Sequence, residues 1–241
     1  FSKMFDAATS ESLKYFAKAE VFIEKYVQNP RHIEIQVIAD SYGNVVHLGE
    51  RDCSIQRRHQ KVIEITPSPL LNDDVRQKLC KISVNAMKEL GYESVGTVEF
   101  LVDAQDNFYF IEMNTRVQVE HPVTEIVTGI DIIQRMIEIA AGDSLKYSQE
   151  QIQFRGYAIE FRINSEDPQQ NFMPTAGTVK KYLTPGGPGV RLDTSLYSGY
   201  ELPTCYDSML GKLIVWALDW KGVVAKAKRA LDEYSIEGFK T

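Results

Sequence analysis

Apolar and polar residues alternate along several short segments of the chain, and these segments predict strands. Ile33 to Ala39 and Val45 to Leu48 flank turn-forming residues at positions 40–44, which predicts a β-hairpin. Thr97 to Asp103 and Phe108 to Glu112 flank positions 104–107 and predict a second hairpin. The apolar run Val21 to Val27 predicts a further buried strand, ended by the Asn-Pro pair at positions 29 and 30.

Helical spacing appears between these hairpins. Val75, Leu79, Ile82, Ala86 and Leu90 recur on one face of a predicted helix that begins after Asn72 and stops at Gly91. Residues 1–20 are loosely helical, residues 130–140 predict a helix that stops at position 142, and residues 221–234 predict a final helix. Strands are predicted at 157–163, 177–183, 190–192 and 212–217, with a structural turn at 185–189. The mixture predicts an α+β fold with a mainly antiparallel sheet.

Composition narrows the class of protein. The 241 residues are 44% hydrophobic and 25% charged, which is typical of a globular chain. A net charge of -6 argues against nucleic acid and acidic membrane surfaces as partners. Cys53, Cys80 and Cys205 are far apart and lack metal-ligand spacing, and no apolar run reaches the length of a membrane span, so the cytoplasm is the expected location. Because the chain begins at Phe1, we expect it to be part of a longer polypeptide.

Charged and amide side chains occupy every second position from 112 to 120. In an extended segment Glu112, Asn114, Arg116, Gln118 and Glu120 would all project from one face, which a surface strand rarely needs. The row would span about 27 Å if it were fully extended, at about 3.3 Å per residue. It must therefore bend if all five side chains serve one site.

The second predicted hairpin suggests a metal site. With Asp103 opposite Phe108, Glu99 falls across from Glu112, and two like charges facing each other destabilise a sheet. A cation would relieve this repulsion, and Asn114 adds an oxygen on the same face, a set that suits Mg²⁺ or Mn²⁺. The alternative is an edge hairpin with solvated charges.

The basic run from Arg51 to Lys61 favours a local site for an anionic substrate over a solvated charge run. His59 lies between Arg58 and Lys61 in a stretch that no core would accept, so contact with phosphate is expected. His32 fits a structural role and a ligand role equally well.

Three motifs together resemble the biotin carboxylase family of ATP-grasp enzymes. They are residues 99–101 (Glu-Phe-Leu), residues 110–122 (Phe-Ile-Glu-Met-Asn-Thr-Arg-Val-Gln-Val-Glu-His-Pro) and residues 50–61 (Glu-Arg-Asp-Cys-Ser-Ile-Gln-Arg-Arg-His-Gln-Lys). The resemblance runs from about residue 21 to the C-terminus. It implies the end of an ATP-grasp lid and hinge at 1–26, an ATP-grasp core at 27–146 and a β-rich biotin carboxylase C-terminal domain at 147–241.

The resemblance also implies a role for each candidate residue. Glu99, Glu112 and Asn114 would hold Mg²⁺ or Mn²⁺, Glu120 would be the general base, and Arg162 would stabilise the biotin enolate. Lys61, Arg116, Gln118 and the Val119 backbone would hold bicarbonate, so that Lys61, Arg116, Glu120 and Arg162 form the catalytic set. ATP would contact Glu24, Lys25, Tyr26, Val27, His32, Gln56, His59, Glu99 and Glu112.

The reaction implied is carboxylation of biotin through carboxyphosphate, driven by ATP and using bicarbonate. Biotin would arrive on a separate carrier protein or domain, with a carboxyltransferase as a further partner and a homodimer as the expected assembly. Acetyl-CoA carboxylase, and so fatty acid biosynthesis, is the favoured parent, with pyruvate or propionyl-CoA carboxylase as alternatives. The competing interpretations are a non-catalytic nucleotide-binding module and a ligase of the carbamoyl-phosphate synthetase type. Family members carry a glycine-rich lid loop and two ATP-binding lysines upstream, which this sequence lacks, so the chain alone is expected to be inactive.

Overall fold

The computed structural model describes residues 1–203 and 207–241. Eight longer strands of this described part are β1 (Arg31–Ala39), β2 (Val45–Arg57), β3 (Gln60–Thr66), β4 (Ser94–Val102), β5 (Phe108–Asn114), β6 (Tyr157–Asn164), β10 (Val190–Thr194) and β11 (Met209–Ala217). They form one antiparallel sheet in the order β10-β11-β6-β3-β2-β1-β4-β5. The predicted α+β class with a mainly antiparallel sheet is confirmed.

Shorter strands and five helices complete the described part of the chain. The short strands are β7 (Glu166–Asp167), β8 (Met173–Pro174), β9 (Lys181–Leu183) and β12 (Ser235–Glu237), and they form two separate pairs. The helices are α1 (Ser2–Phe16), α2 (Asp73–Leu90), α3 (His121–Thr128), α4 (Ile132–Ala140) and α5 (Trp220–Glu233). In the described ranges, no helix has both the length and the apolarity that crossing a membrane requires.

Helices α2 and α5 cover one face of the sheet with apolar contacts. Ile33, Ile35 and Val37 of β1 pack with Leu79 of α2 in one core cluster. A second cluster on this face joins β6 and β11 to α5. Burial of these side chains is the main source of stability for this layer.

The opposite face is covered by α3 and α4 and is partly polar. Val123 and Val127 of α3 pack on Ala158 and Ile214. Next to this small apolar cluster, the same face of the sheet carries buried charged side chains, namely Glu34, Arg51, Glu64, Glu99 and Glu160. This polar part of the sheet contains the candidate site.

The predicted helices and hairpins are present with shifted ends. Asn72 caps α2 by accepting a hydrogen bond from the backbone N–H of Asp74, and Gly91 ends the helix in the left-handed conformation. The helix predicted at 130–140 begins only after Asp131, which caps it. Helix α3 is absent from the predicted elements.

Two strand predictions need correction. Val21 to Val27 is not a strand: it has no ladder partner among the described residues, and Phe22 and Tyr26 are both 83% exposed. An apolar run forms a strand only where a neighbouring strand can take its backbone hydrogen bonds. The strand predicted at 177–183 is confined to β9, and only an isolated bridge joins Thr178 to Glu201.

The sheet extends across the predicted boundary at residue 146/147, because β6 pairs with both β3 and β11. The division into 1–26, 27–146 and 147–241 stays a prediction. Cys53 and Cys80 are buried free thiols, and Cys205 lies outside the described residues.

Candidate functional site

A row of charged side chains crosses four neighbouring strands on the polar face. Arg51 on β2 lies opposite Glu34 on β1, Glu34 lies opposite Glu99 on β4, and Glu99 lies opposite Glu112 on β5. Glu34 and Arg51 are completely buried. Since unpaired buried charges are very costly, each of these groups needs compensating partners.

The predicted pairing of Glu99 with Glu112 is confirmed, although the ladder reaches it by a different path. Next to the turn, Val102 and not Asp103 lies opposite Phe108. A register shift between Glu99 and Phe100 then inserts one extra residue, Ile111, into β5. The bulge restores the Glu99–Glu112 pairing.

Arg51 on β2 forms hydrogen bonds that link β1 and β4 to α3 and to the loop after β5. Its guanidinium donates to Gln36 Oε1 at 2.7 Å and to Gln118 Oε1 at 2.8 Å. Further donations reach Glu34 at 3.3 Å and the hydroxyls of Thr97 and Thr124 at 3.1 Å. Because the fork of donors is fully used, Arg51 fixes the position of Gln118 relative to β1 and β4.

Lys61 lies among three carboxylates. Its Nζ donates to Glu34, to Glu120 at 2.8 Å and to Glu99 at 3.4 Å. Burial alone would raise the pKa of Glu34, but the His32 hydrogen bond and the charges of Arg51 and Lys61 outweigh it and lower the pKa to about 2. Glu34 is therefore ionised at neutral pH.

His32 is a charged partner of the same acids. Its Nε2 donates to Glu99 Oε2 at 2.5 Å, and Nδ1 lies 3.1 Å from the side-chain amide nitrogen of Gln56. Burial would lower the pKa of His32, but the hydrogen bonds to Glu34 and Glu99 raise it to about 9. Gln56 Nε2 donates to the Cys53 carbonyl at 2.9 Å, which fixes the Gln56 side chain next to His32.

Glu99, Glu112 and Asn114 come together as the metal hypothesis requires. Asn114 Nδ2 lies 2.8 Å from Glu99 Oε1 and 3.1 Å from Glu112 Oε1, between the two carboxylates. A cation would take the same place, with the Asn114 amide turned to present its oxygen. Three oxygen donors around one point fit Mg²⁺ or Mn²⁺. His32, Glu34 and Glu99 also present close ligand atoms, but Lys61 and Arg51 already neutralise Glu34.

The row from 112 to 120 bends after β5, as its length requires. Arg116 is exposed and donates to Asn114 Oδ1 at 3.1 Å, so its guanidinium lies next to the predicted metal ligands. Gln118 is buried and donates to Glu99 Oε1 at 2.7 Å. Lys212 on β11 donates to the Val119 carbonyl at 2.9 Å and anchors the bend.

Arg162 on β6 lies between two acids. Its Nε donates to Glu64 Oε1 at 2.7 Å, and its Nη2 donates to Glu120 Oε2 at 3.0 Å. Glu120 is buried and bonded to both Lys61 and Arg162, so it is a carboxylate held between two cations.

A cavity of about 380 Å³ joins these groups. From the predicted set it contains His32, His59, Lys61, Glu99, Glu112, Asn114, Arg116, Gln118, Val119, Glu120 and Arg162. His59 is exposed at the β2–β3 turn, where it and Arg58 both have positive φ. Gln56 lies behind His32 and not on the cavity wall.

The predicted ATP contacts at residues 24–27 lie outside this cavity. Lys25, Tyr26 and Val27 line a separate cavity with Asp103 and Tyr109, and Glu24 is exposed. The roles of these four residues in ATP binding stay a prediction.

Several residues of the site were missed from the sequence. Glu34, Glu64, Glu160 and Lys212 were passed over, as were Asn164, Ser208 and Met209 on the cavity wall. Arg51 was predicted only as part of a basic run for an anionic substrate, whereas it is buried and bonded to protein groups. The signal was present in β1, where His32, Glu34 and Gln36 alternate with apolar residues in the same way as the row from 112 to 120.

Two family profiles match the chain. The profile described as "Carbamoyl-phosphate synthase L chain, ATP binding domain" matches residues 1–148, and the profile described as "Biotin carboxylase C-terminal domain" matches residues 160–241. The chain belongs to the biotin carboxylase family. The C-terminal match distinguishes this family from ligases of the carbamoyl-phosphate synthetase type.

Similar proteins cover the whole chain. A biotin carboxylase of Nostoc sp. is 53% identical over 100% of the chain and 54% of its own length. A pyruvate carboxylase subunit from Methanothermobacter thermautotrophicus is 50% identical over 98% of the chain and 48% of its own length. The chain therefore spans about half the length of the relatives it matches.

A solved structure gives the same result for the fold. The biotin carboxylase domain dimer of Hydrogenobacter thermophilus 2-oxoglutarate carboxylase, in complex with MgADP, ADP and bicarbonate, matches with a TM-score of 0.95 and 52% identity. The match covers 99% of the chain and 53% of that domain. The predicted ATP-grasp fold is confirmed.

Proposed function

We propose that the chain forms the metal, bicarbonate and biotin sites of a biotin carboxylase, an ATP-dependent ligase that carboxylates biotin. The observation that carries the proposal is the cavity in which two facing carboxylates with an adjacent amide, three cationic side chains and a further buried carboxylate converge. The cations are Lys61, Arg116 and Arg162, and the carboxylate is Glu120.

The acidic end of the cavity suits a metal–nucleotide complex. Glu99, Glu112 and Asn114 would hold Mg²⁺ or Mn²⁺, which would neutralise charge on the phosphates of ATP. His59 at the β2–β3 turn and His32 on β1 also line the cavity, so both lie near the proposed nucleotide site. MgADP in the similar 2-oxoglutarate carboxylase domain supports this assignment.

The centre of the cavity suits bicarbonate. Lys61 supplies an ammonium group, and Arg116 can bind a planar anion through two parallel hydrogen bonds. Gln118, held by Arg51 and Glu99, and the Val119 backbone would orient the anion. In the reaction implied by the family, ATP phosphorylates bicarbonate to carboxyphosphate.

Glu120 would act on bicarbonate, and Arg162 would act on biotin. A carboxylate at the end of the row can accept the bicarbonate proton as general base. Arg162 is 18% exposed at its side chain and reaches from Glu64 to Glu120, so one side of its guanidinium faces the cavity. There it would stabilise negative charge that develops on biotin when N1 is activated.

The parent enzyme is proposed only as a biotin-dependent carboxylase. The relatives include biotin carboxylases and carboxylases of pyruvate and 2-oxoglutarate, so acetyl-CoA carboxylase and fatty acid biosynthesis are one option among several. We propose a carrier with covalently bound biotin, a carboxyltransferase and a second copy of the chain as partners. The dimer of the 2-oxoglutarate carboxylase domain supports the homodimer, and the buried free thiols fit the reducing cytoplasm.

Phosphate release from ATP by the complete carboxylase tests this function. We expect release to require both Mg²⁺ and bicarbonate and to be stimulated by free biotin. Omitting bicarbonate is the matched control, because it leaves nucleotide binding intact. Nucleotide binding without any bicarbonate-dependent release would contradict the proposal and would favour a non-catalytic binding module.

A further inference from the structure

Two acids lie directly opposite each other beneath Arg162. Glu64 on β3 and Glu160 on β6 are ladder partners, so their side chains share one face about 5 Å apart at Cβ. Both residues are completely buried. Neither was part of the predicted site.

Most oxygens of this pair have no hydrogen-bond partner within the described residues. Glu64 Oε1 accepts from Arg162, but Glu64 Oε2 and both carboxylate oxygens of Glu160 have none. Two fully ionised carboxylates in this position would repel each other and would lack solvation. A proton on one of them removes both costs, since the carboxyl O–H can donate to the other.

Other charged groups near the pair are already engaged. Arg162 divides its donors between Glu64 and Glu120, while Lys212 binds the Val119 carbonyl and lies 3.6 Å from Asp193. Glu34 and Glu120 face the pair as further negative charges. The cations therefore do not balance a second charge on the pair.

Burial and mutual repulsion act in the same direction on both acids. Burial raises the pKa of Glu64 to about 7 despite the charge of Arg162. Burial and the neighbouring Glu64 raise the pKa of Glu160 well above its usual range.

We propose that Glu64 and Glu160 share one proton and act as positioning residues for Arg162, with Glu64 ionised towards the guanidinium and Glu160 neutral behind it. The proposal rests on the proposed function, in which Arg162 contacts biotin. With one negative charge beneath it, Arg162 is held evenly between Glu64 and Glu120. Loss of the proton would add a second charge below the guanidinium and draw Arg162 away from the cavity.

Infrared spectroscopy of the complete carboxylase tests the shared proton without measuring activity. We expect a C=O stretching band of a buried carboxylic acid at neutral pH, and we expect Glu160→Gln to remove it. Glu160→Asp keeps a carboxyl group and should keep the band. Glu89→Gln changes an exposed carboxylate on α2 and should also leave the band unchanged. A band that is absent in the wild type, or unchanged in Glu160→Gln, would overturn the shared proton.

The pH profile of biotin-stimulated ATP cleavage tests the positioning of Arg162. In the wild type, we expect kcat/KM for biotin to fall on the alkaline side as the pair loses its proton. In Glu160→Gln, whose amide can still donate to Glu64, this fall should move to higher pH by about one unit or more. An unchanged profile would overturn the positioning role.

The two experiments also separate this proposal from the proposed function. If the wild type shows no biotin-stimulated turnover, the proposed function fails. The infrared band still decides in that case whether the pair holds a proton.

Discussion

The same strands carry apolar side chains on one face of the sheet and charged or amide side chains on the other. On β1, Ile33, Ile35 and Val37 point to α2 and belong to an apolar cluster. The residues between them, Glu34 and Gln36, point to the other face and are just as completely buried. The first face gains stability from apolar burial, whereas the second loses part of it to the desolvation of charges.

The comparison shows that burial alone does not identify a core. On the polar face the buried cations are shared among acids, and Arg51 alone binds five side chains. Such a network holds the cavity groups in place before any substrate arrives. Changes on the two faces should therefore have different consequences.

The largest effect is expected for Glu120→Gln on the polar face. Removal of a general base typically slows a reaction by about 10²- to 10⁴-fold. Biotin-stimulated phosphate release should fall by this factor in the complete carboxylase, while nucleotide affinity changes little. Glu89→Gln, an exposed change of the same chemistry, is the control. Full activity of Glu120→Gln would contradict the role of Glu120 as general base and would leave it a structural residue.

On the apolar face, Ile35→Ala should reduce stability and not chemistry. Ile35 is completely buried, and truncation of such a side chain costs about 2–5 kcal/mol in the free energy of unfolding. Urea unfolding of the 241-residue chain measures this loss, and Ile137→Ala, at a position that is 65% exposed, is the control. Equal losses for both variants would show that this face is not the stabilising layer.

A smaller effect is expected for Thr97→Val within the buried network. The Thr97 hydroxyl accepts from Arg51 at 3.1 Å, and its removal leaves one guanidinium N–H unsatisfied. Such a group costs about 1–3 kcal/mol. The same unfolding experiment should show this loss for Thr97→Val and little change for the exposed control Thr184→Val. No loss would mean that the Arg51 network tolerates a missing acceptor.

Residues whose neighbours are close in the chain were predicted best from the sequence. The hairpin of β4 and β5 is local, so the sequence predicted that Glu99 faces Glu112. The register assumed at the turn was one residue off, and the bulge in β5 compensates for it. The bulge at Ile111 could not be foreseen, because nothing in the residue types distinguishes a bulged from a regular strand there. The five side chains from 112 to 120 do line one cavity.

The parts that sequence reasoning missed depend on distant neighbours. Whether the apolar run at 21–27 becomes a strand depends on a pairing partner, and the described residues provide none. The Glu64–Glu160 pair forms only because β3 and β6, almost 100 residues apart in the chain, are adjacent in the sheet. Periodicity reports which face a residue occupies, but not which strand lies beside it.

The metal–nucleotide site on the polar face is tested most directly by the Mg²⁺ dependence of nucleotide binding in Glu112→Gln. Glu112 is the exposed end of the charged row that starts at Arg51, and it can serve the metal without supporting the fold. Calorimetry with ATP at a series of Mg²⁺ concentrations, on the complete carboxylase and with Glu89→Gln as control, makes the measurement. We predict at least about tenfold weaker Mg²⁺-dependent binding, which is about 1.4 kcal/mol, with an unchanged fold by circular dichroism. An unchanged Mg²⁺ dependence would contradict the claim that the polar face ends in a metal–nucleotide site.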